Sequence, residues 1–367
     1  MKRLFSVFCL LLLTVSAAFG QANGKLQLHF IDVGQGDAAV LISPKGEVVM
    51  FDNGIKGYCD KPLSYLDQLG IKKIDYHVAS HYHADHVSCT SETFATFAFQ
   101  KTAYDRGPST TAIYKIYAKA VGKLRKTASK GERITLDQGT NNPVIIEFVA
   151  ANGAGVKTTN ENDLSLVAAI HFGKFDAVMG GDLSGFNQNE YKDIESNVAK
   201  DMKQVEVYKV HHHGSRYSSN EKWLSTIKPK VGIISASANV GTNYKHPTKE
   251  CLTRLHRAGI KTYWTEKGGG VAPDPAWDTV GGNIVVEAEP NGNKFTVTYN
   301  WSKVDSYPMW ETASTSTTKE ETAYAWSKKS GIYHYSNCKY VSNIDPANLV
   351  TGEQPPAGKT MHTGCPR

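Results

Sequence analysis

Ser80-His81-Tyr82-His83-Ala84-Asp85-His86 places four ligand-type side chains within six residues, directly after the apolar run Ile74–Ala79. On extended backbone, side chains two apart share a face, so His81 and His83 point the same way. Asp85 and His86 follow as the chain turns, which lets them face a second centre a few ångströms away. Nitrogen and carboxylate donors without thiolate suit zinc, with manganese or iron as the other choices. One histidine here would read as an ordinary polar loop. His-x-His-x-Asp-His at a strand end reads as a metal motif.

Two later stretches repeat the placement of polar residues after an apolar strand. Ala177–Met179 runs into Gly180-Gly181-Asp182, which presents a carboxylate with little steric cover, able to bridge two cations. Val205–Val210 runs into His211-His212-His213-Gly214-Ser215. Three consecutive histidines cannot all face one metal on extended backbone, so one is the expected last ligand and at least one has another role. Further strands are expected at Leu26–Val33, Ala38–Ile42, Val48–Phe51, Val144–Ala150, Leu164–His171, Val231–Ser235, Asn283–Val286 and Phe295–Asn300. Helices are expected at Leu63–Leu69 and Thr248–Ala258, each followed by glycine, and over the cation-rich Pro108–Thr127. Polar clusters at strand ends are how an α/β protein builds its site, so the fold class is α/β.

Composition sets the frame. The chain has 367 residues, 40% hydrophobic and 21% charged, with 32 Gly and 14 Pro. That is globular composition and excludes a collagen-like fibre, a coiled coil and a disordered chain. A net charge of +6 is too small to demand a nucleic-acid partner. Lys2 and Arg3, the apolar run Leu4–Ala18 and the small residues before Gln21 read as a signal peptide over residues 1–20. The expected location is therefore secreted or periplasmic. The run is short for a membrane anchor, and no other segment is apolar enough to span. Beyond Cys9, the five scattered cysteines suggest no disulfide framework; only Cys338 and Cys365 lie close in sequence.

Taken together, His81-x-His83-x-Asp85-His86, Gly181-Asp182 and His212-His213-Gly214-Ser215 resemble the metallo-β-lactamase superfamily. Phe30-Ile31-Asp32-Val33-Gly34-Gln35-Gly36-Asp37, Asn162-Asp163-Leu164-Ser165 and Tyr244-Lys245-His246-Pro247 resemble the metallohydrolase domain of the bacterial competence DNA-uptake proteins. The resemblance runs from about Leu26 to Tyr299. It implies a four-layer αββα sandwich with two metals at one edge. It also implies hydrolysis of a phosphodiester, with nucleic acid one such substrate. The β-lactamase pattern has one more histidine ligand before the bridging Asp. Here only His171 lies in that interval, within or at the end of a strand, where a packed or edge histidine is the usual reading; Asn162-x-x-Ser165 stands nearer the expected place.

By that resemblance the first metal is held by His81, His83 and Asp182. The second is held by Asp85, His86, Asp182 and His212, the choice of His212 over His213 following the related phosphorylcholine esterases. A hydroxide bridging the two ions would attack phosphorus. Asp85 counts among the catalytic residues as well, and His213, Ser215 and Asn162 are expected at the scissile group. His246 is expected to protonate or stabilise the leaving oxygen, with a structural role before Pro247 as the alternative. Asp52, ending a strand, is expected to orient a ligand histidine. The domain reading is residues 24–302 for the hydrolase, 303–321 for a linker and 322–367 for a small C-terminal module that resembles the Ada type. In that module Cys338 and Cys365, with His334 or His362, could bind zinc, or the two cysteines could form a disulfide. From Lys101 to Arg133 nine Lys/Arg face two acids with tyrosines interleaved, which suits either a phosphate-tracking helix or a solvated face. A phosphocholine or other small phosphoester esterase is the alternative enzyme. A non-catalytic DNA- or wall-binding protein is the alternative outside enzymes.

Overall fold

The computed structural model describes residues 22–239, 244–310, 324–335, 338, 340–352 and 356–363. Residues 1–20, the expected signal peptide, lie outside them, as does Cys365. Two compact units divide at Trp310, residues 1–310 and 311–367.

In chain order the first unit contains β1 (Leu26–Phe30), β2 (Ala39–Ile42), β3 (Val48–Phe51), α1 (Asp60–Gln68), β4 (Lys73–Val78), α2 (Ala84–Val87), α3 (Thr90–Thr96), β5 (Ala98–Asp105), α4 (Ala112–Val121), β6 (Arg125–Thr127), β7 (Arg133–Leu136), β8 (Val144–Ala150), β9 (Val167–Phe172) and β10 (Phe175–Met179). It continues with β11 (Gly185–Gln188), β12 (Tyr191–Asp193), α5 (Glu195–Val198), β13 (Val207–Lys209), α6 (Glu221–Ile227), β14 (Val231–Ile234), α7 (Lys249–Arg257), β15 (Lys261–Trp264), β16 (Asp278–Val280), β17 (Ile284–Ala288), β18 (Lys294–Tyr299) and β19 (Lys303–Pro308).

Two sheets stack between helices. One runs β19-β18-β17-β1-β2-β3-β4-β5-β6 and the other β16-β15-β14-β13-β10-β9-β8-β7. Alternation along the strands builds the layers. Leu26, Leu28 and Phe30 of β1 and Leu41 of β2 meet Ile170, Ala177, Val207 and Ile233 of the other sheet. Val40 and Ile42 of β2 point the other way, onto Tyr65 and Leu66 of α1. Val167, Ala169 and Val178 point outward from the second sheet onto Trp223 and Leu224 of α6 and Leu252 and Leu255 of α7. With α4 covering Ala79 and Ala103 through Tyr117 and Val121, the result is the four-layer αββα sandwich.

Both sheets contain parallel runs, β3 to β6 in one and β10, β13, β14, β15 and β16 in the other. Parallel strands deliver their carboxyl ends to the same edge, and that is where polar loops can gather.

Three expectations need correction. Residues 303–308, read as linker, form β19, paired along its whole length with β18. The cation-rich helix is only Ala112–Val121; Gly122 ends it with φ 56°, and Lys126 lies in β6. Cys59 and Cys89 form a disulfide 30 residues apart, tying the residue before α1 to the residue before α3. Among the described residues no helix is long and apolar enough to cross a membrane.

The second unit carries a four-stranded sheet of Tyr324–Ser327, Ile332–Tyr335, Leu349–Gly352 and Thr360–Met361. His334 and His362 stack within it, ring centroids 5.0 Å apart.

Candidate metal centre

Strand β4 ends at Val78, and Ala79-Ser80 carries the chain over the sheet edge to His81 and His83. His83 lies outside α2 as its extended first cap, so Asp85 and His86 fall within one helical turn of it. Two glycines admit the loop. Gly36, at φ 156°, sits so close that an added Cβ would meet the Asp85 carbonyl oxygen at 2.4 Å. Gly181, at φ 52°, leaves room for Ser80, whose side chain a Cβ would meet at 2.6 Å.

Asp182 follows β10 and stands in the middle. Its Oδ1 lies 3.3 Å from His86 Nε2 and 3.5 Å from His213 Nε2. Its Oδ2 lies 3.8 Å from His81 Nε2 and 3.8 Å from His212 Nε2. His213 Nε2 is also 3.3 Å from Asp85 Oδ2, and His81 Nε2 is 3.0 Å from His83 Nδ1. Two donor groups result, His81–His83–Asp182 and Asp85–His86–Asp182–His213, sharing one carboxylate with one oxygen turned to each.

The donors fit a cation. His86 Nε2, His213 Nε2 and Asp182 Oδ1 are buried, converge, and have no hydrogen-bond partner among the described residues. Burial normally forbids such orphans, because each costs about 1–3 kcal/mol. Charge tells the same story. Burial pushes Asp182 up, but His213, His86 and His212 hold its carboxyl well below the ordinary range. Burial opposes charge on His86 as well, yet Asp182, Asp85 and Asp52 raise it well above an ordinary imidazole. A divalent cation at the same point would displace those protons.

The three histidines after β13 diverge. His212 and His213 have φ of 49° and 52°, the left-handed region, so successive side chains leave in different directions. His211 turns inward, bonds Glu195 Oε1 through Nδ1 at 2.7 Å, and packs beside Trp223. His213 joins the second donor group, its Nδ1 donating to the Ser235 carbonyl at 2.9 Å. His212 faces Asn162 Nδ2 at 3.4 Å instead. The resemblance implied His212 as second-centre donor and His213 at the scissile group; the structure groups His213 with Asp85, His86 and Asp182, and sets His212 beside Asn162, 3.8 Å from Asp182 Oδ2. Ser215 also departs from expectation: it is buried, its Oγ accepts from Tyr217 N at 3.3 Å, and it does not line the cleft.

That cleft, about 520 Å³, is lined by His83, Asp85, Asp182, His212 and His213. Asn162, Tyr191, Tyr244 and His246 line it as well. His246 lies 5.3 Å from His212 by ring centroid, and burial, then His212 and His213, push its pKa down to about 3. It is a neutral imidazole at ordinary pH, suited to donating a hydrogen bond rather than a proton. His171 is remote from the cleft, paired with Asp176 across the β9–β10 hairpin at 2.5 Å.

Behind the donors, Asp52 Oδ2 accepts from His86 Nδ1 at 2.8 Å and from Ser80 Oγ at 2.7 Å, fixing the ring's tautomer and tilt. Asp37 and Lys209 were not expected here. Lys209 Nζ lies 2.8 and 2.9 Å from the two Asp37 oxygens, both residues buried. Asp37 Oδ1 in turn stands 3.5 Å from His213 Nδ1. Asp37 entered the sequence reading only as the end of the Phe30–Asp37 stretch; its partner Lys209 lies on β13, which no local pattern connects to it. Glu195, which orients His211 and accepts from Ser219 N and Asn220 N at 2.7 Å each, left no sequence signal at all.

No family model matches the chain. Over 266 residues it is 23% identical to ComE operon protein 3 of Bacillus subtilis, covering 67% of this chain and 32% of that protein. Over 236 residues it is 28% identical to Recombination protein 2 of Haemophilus influenzae, covering 63% of this chain and 26% of that one. The chain thus spans a third or less of the curated relatives it matches. Among solved structures, the metallo-beta-lactamase fold protein YhfI from Bacillus subtilis aligns with a TM-score of 0.41 at 12% identity, covering 72% of this chain and 100% of YhfI. The αββα layers and the donor loops at the carboxyl ends of the strands accompany similarity in sequence to these two competence proteins, and the chain resembles the metallo-β-lactamase superfamily of the competence-protein type.

Proposed function

We propose that the chain is an exported, two-metal hydrolase of phosphodiesters, with zinc the first choice of ion and manganese or iron the others. The observation that carries this reading is the single Asp182 carboxylate with one oxygen in each donor group. When bound, a pair of divalent ions supplies a deprotonated water near neutral pH and neutralises charge on both the attacking and leaving oxygens. The chain's own residues do the rest. Asp182 sets the separation of the two donor groups. Asp52 holds His86, and the Ser235 carbonyl with Asp37 holds His213, so neither ring has to reorient. Asn162 and His212 stand on the cleft wall where a phosphoryl oxygen would lie. His246, neutral and facing the cleft, can donate to a leaving oxygen. Tyr191 and Tyr244 flank the opening and suit a ring-bearing leaving group. Export is supported by the Cys59–Cys89 disulfide, a bond favoured in oxidising compartments, and by the apolar N-terminal run.

The test is elemental analysis of purified protein, then a panel of bis-p-nitrophenyl phosphate, p-nitrophenyl phosphate, DNA, RNA and a lactam reporter. The reading expects about two metals per chain and turnover of phosphodiesters, lost on chelation and restored by zinc or manganese. Preference for the monoester or the lactam, or full activity after the metals are removed, would overturn it.

A further inference from the structure

The metal centre occupies the carboxyl ends of β10 and β13, and β14 supplies the Ser235 carbonyl there. At the opposite, amino ends of β14, β15 and β16 lies a second cleft of about 820 Å³. It is separated from the metals by the length of the strands, about 13 Å for four residues. Lys228, Lys230, Arg257, Lys261, Trp277 and Trp310 line it, and Glu221 is the one lining carboxylate among the described residues. Register lines several of these up. Val231 pairs with Lys261 and Thr262 with Asp278, so Lys261 opens β15 beside Trp277, the residue before β16, one strand step of about 4.8 Å away, and Lys230 precedes β14 on the other side.

These cations differ from the basic stretch Lys101–Arg133. There, six of nine are neutralised: Lys101 by Glu47, Arg106 by Glu161, Arg125 by Asp105, Lys126 by Glu132, Lys130 by Asp201 and Arg133 by Glu147. In the cleft, the structure gives Lys228, Arg257 and Lys261 no ion pair among the described residues. Lys228 and Arg257 end α6 and α7, where a cation complements the helix dipole. That accounts for two of the charges but not for Lys230, Lys261 or the indoles. Both indoles are held. Trp310 Nε1 donates to the Val205 carbonyl at 3.0 Å and its ring carries Lys230 Nζ at 3.5 Å. Trp277 stacks on His256, centroids 5.5 Å apart at 16°.

We propose that this cleft binds single-stranded nucleic acid, phosphates at Lys228, Arg257 and Lys261, bases against Trp277 and Trp310. Unpaired cations beside fixed aromatic faces are what a strand with a charged backbone and flat bases requires. A polyanion without rings would use only half of the lining. The cleft stands apart from the metal donors, so this inference and the hydrolase reading fail separately.

The probe is a fluorescent oligothymidylate with phosphorothioate linkages, which resists cleavage, titrated into the full chain at several salt concentrations. Inorganic polyphosphate is the competitor. Lys228→Ala/Arg257→Ala/Lys261→Ala should weaken binding at low salt and reduce the slope of log affinity against log salt by about 2, since each single-strand phosphate contact contributes about 0.7. Trp277→Ala should weaken the oligonucleotide roughly 5- to 150-fold and leave polyphosphate unchanged, while Trp277→Phe should retain most of the binding. Hydrolysis of bis-p-nitrophenyl phosphate, where present, should be the same in all four proteins. An unchanged salt slope in the triple variant, or oligonucleotide affinity insensitive to Trp277→Ala, would overturn the proposal. So would polyphosphate binding as well as the oligonucleotide, or no oligonucleotide binding by the wild-type chain.

Discussion

Removing Asp37 and Lys209 together should cost less stability than the two single losses added. Burial by itself would raise the Asp37 carboxyl, but Lys209 and then His213 outweigh it and hold it below its ordinary value. In Asp37→Ala the buried Lys209 ammonium keeps the Val210 carbonyl at 3.3 Å as its acceptor among the described residues. Breaking one side of a buried pair costs about 3–5 kcal/mol. Lys209→Met leaves the carboxylate facing the imidazoles of His213 and His86 and should cost somewhat less. The double variant Asp37→Ala/Lys209→Met leaves no uncompensated charge, so its loss should fall short of the sum of the singles by about 1–3 kcal/mol. Urea unfolding with a constant slope measures the cycle. A second readout separates packing from function. Asp37 touches His213, so zinc affinity in Asp37→Ala, measured against a competing chelator, should fall about 10- to 100-fold. Additive single losses would refute the pairing, and unchanged zinc affinity would refute the positioning role.

His213→Ala should reduce the metal content to about one ion per chain, whereas His212→Ala should keep about two and lose mainly turnover; equal losses of metal would return His212 to the donor set. His29 and His77 are fully buried, and burial lowers each from 6.5 to about 3. The fold holds both neutral, so their contribution is complete above pH 6.5 and is lost as the pH falls toward 3, at about 1.4 kcal/mol per pH unit each. In urea unfolding between those limits, His77→Gln should show a pH slope smaller by one proton; an unchanged slope would mean His77 is protonated in the fold. Replacing Cys59 and Cys89 with Ala should lower stability by about 2–4 kcal/mol, and a reductant should reproduce that loss in the wild type but not in the variant; no difference between oxidised and reduced wild type would remove the disulfide from the stability argument.

What the sequence made legible was local. His81, His83, Asp85 and His86 sit within six residues, and the strand before them is apolar, so their convergence needs only β4 and one turn of helix. Asp182 was legible because a strand and two glycines precede it. The order of His212 and His213 was not, because both adopt positive φ, and apolar periodicity carries no information about that. Resemblance to the esterases chose His212, and the donor group that the fold gathers holds His213. Strand β5 was missed because its first half, Ala98-Phe99-Gln100-Lys101-Thr102, is mostly exposed at the sheet's margin and shows no two-residue alternation. The basic stretch looked like one face because Lys119, Lys123 and Lys126 have helical spacing; Gly122 ends the helix between them. The Cys59–Cys89 pairing was invisible because 30 residues, two helices and a strand separate cysteines that the fold brings to a Cα–Cα distance of 5.3 Å.

The run of three histidines shows how the fold holds a reactive arrangement that the backbone alone would resist. Two consecutive non-glycine residues in the left-handed region cost of order 1–3 kcal/mol each. The neighbours on either side are what sustain them. His211 is locked by Glu195, whose two oxygens also accept from the backbone of Ser219 and Asn220. His213 is held by the Ser235 carbonyl from the adjacent parallel strand. Gly214 completes the reversal at φ 79°, and a Cβ there would meet Pro247 at 2.6 Å, so the turn is wedged against the segment that carries His246. One backbone reversal therefore sends His211 into the core, His213 to the donor group and His212 to the cleft wall, and it sets the distance from His212 to His246. The placement of the donor, the cleft wall and the core contact with Trp223 of α6 therefore rests on the same four residues.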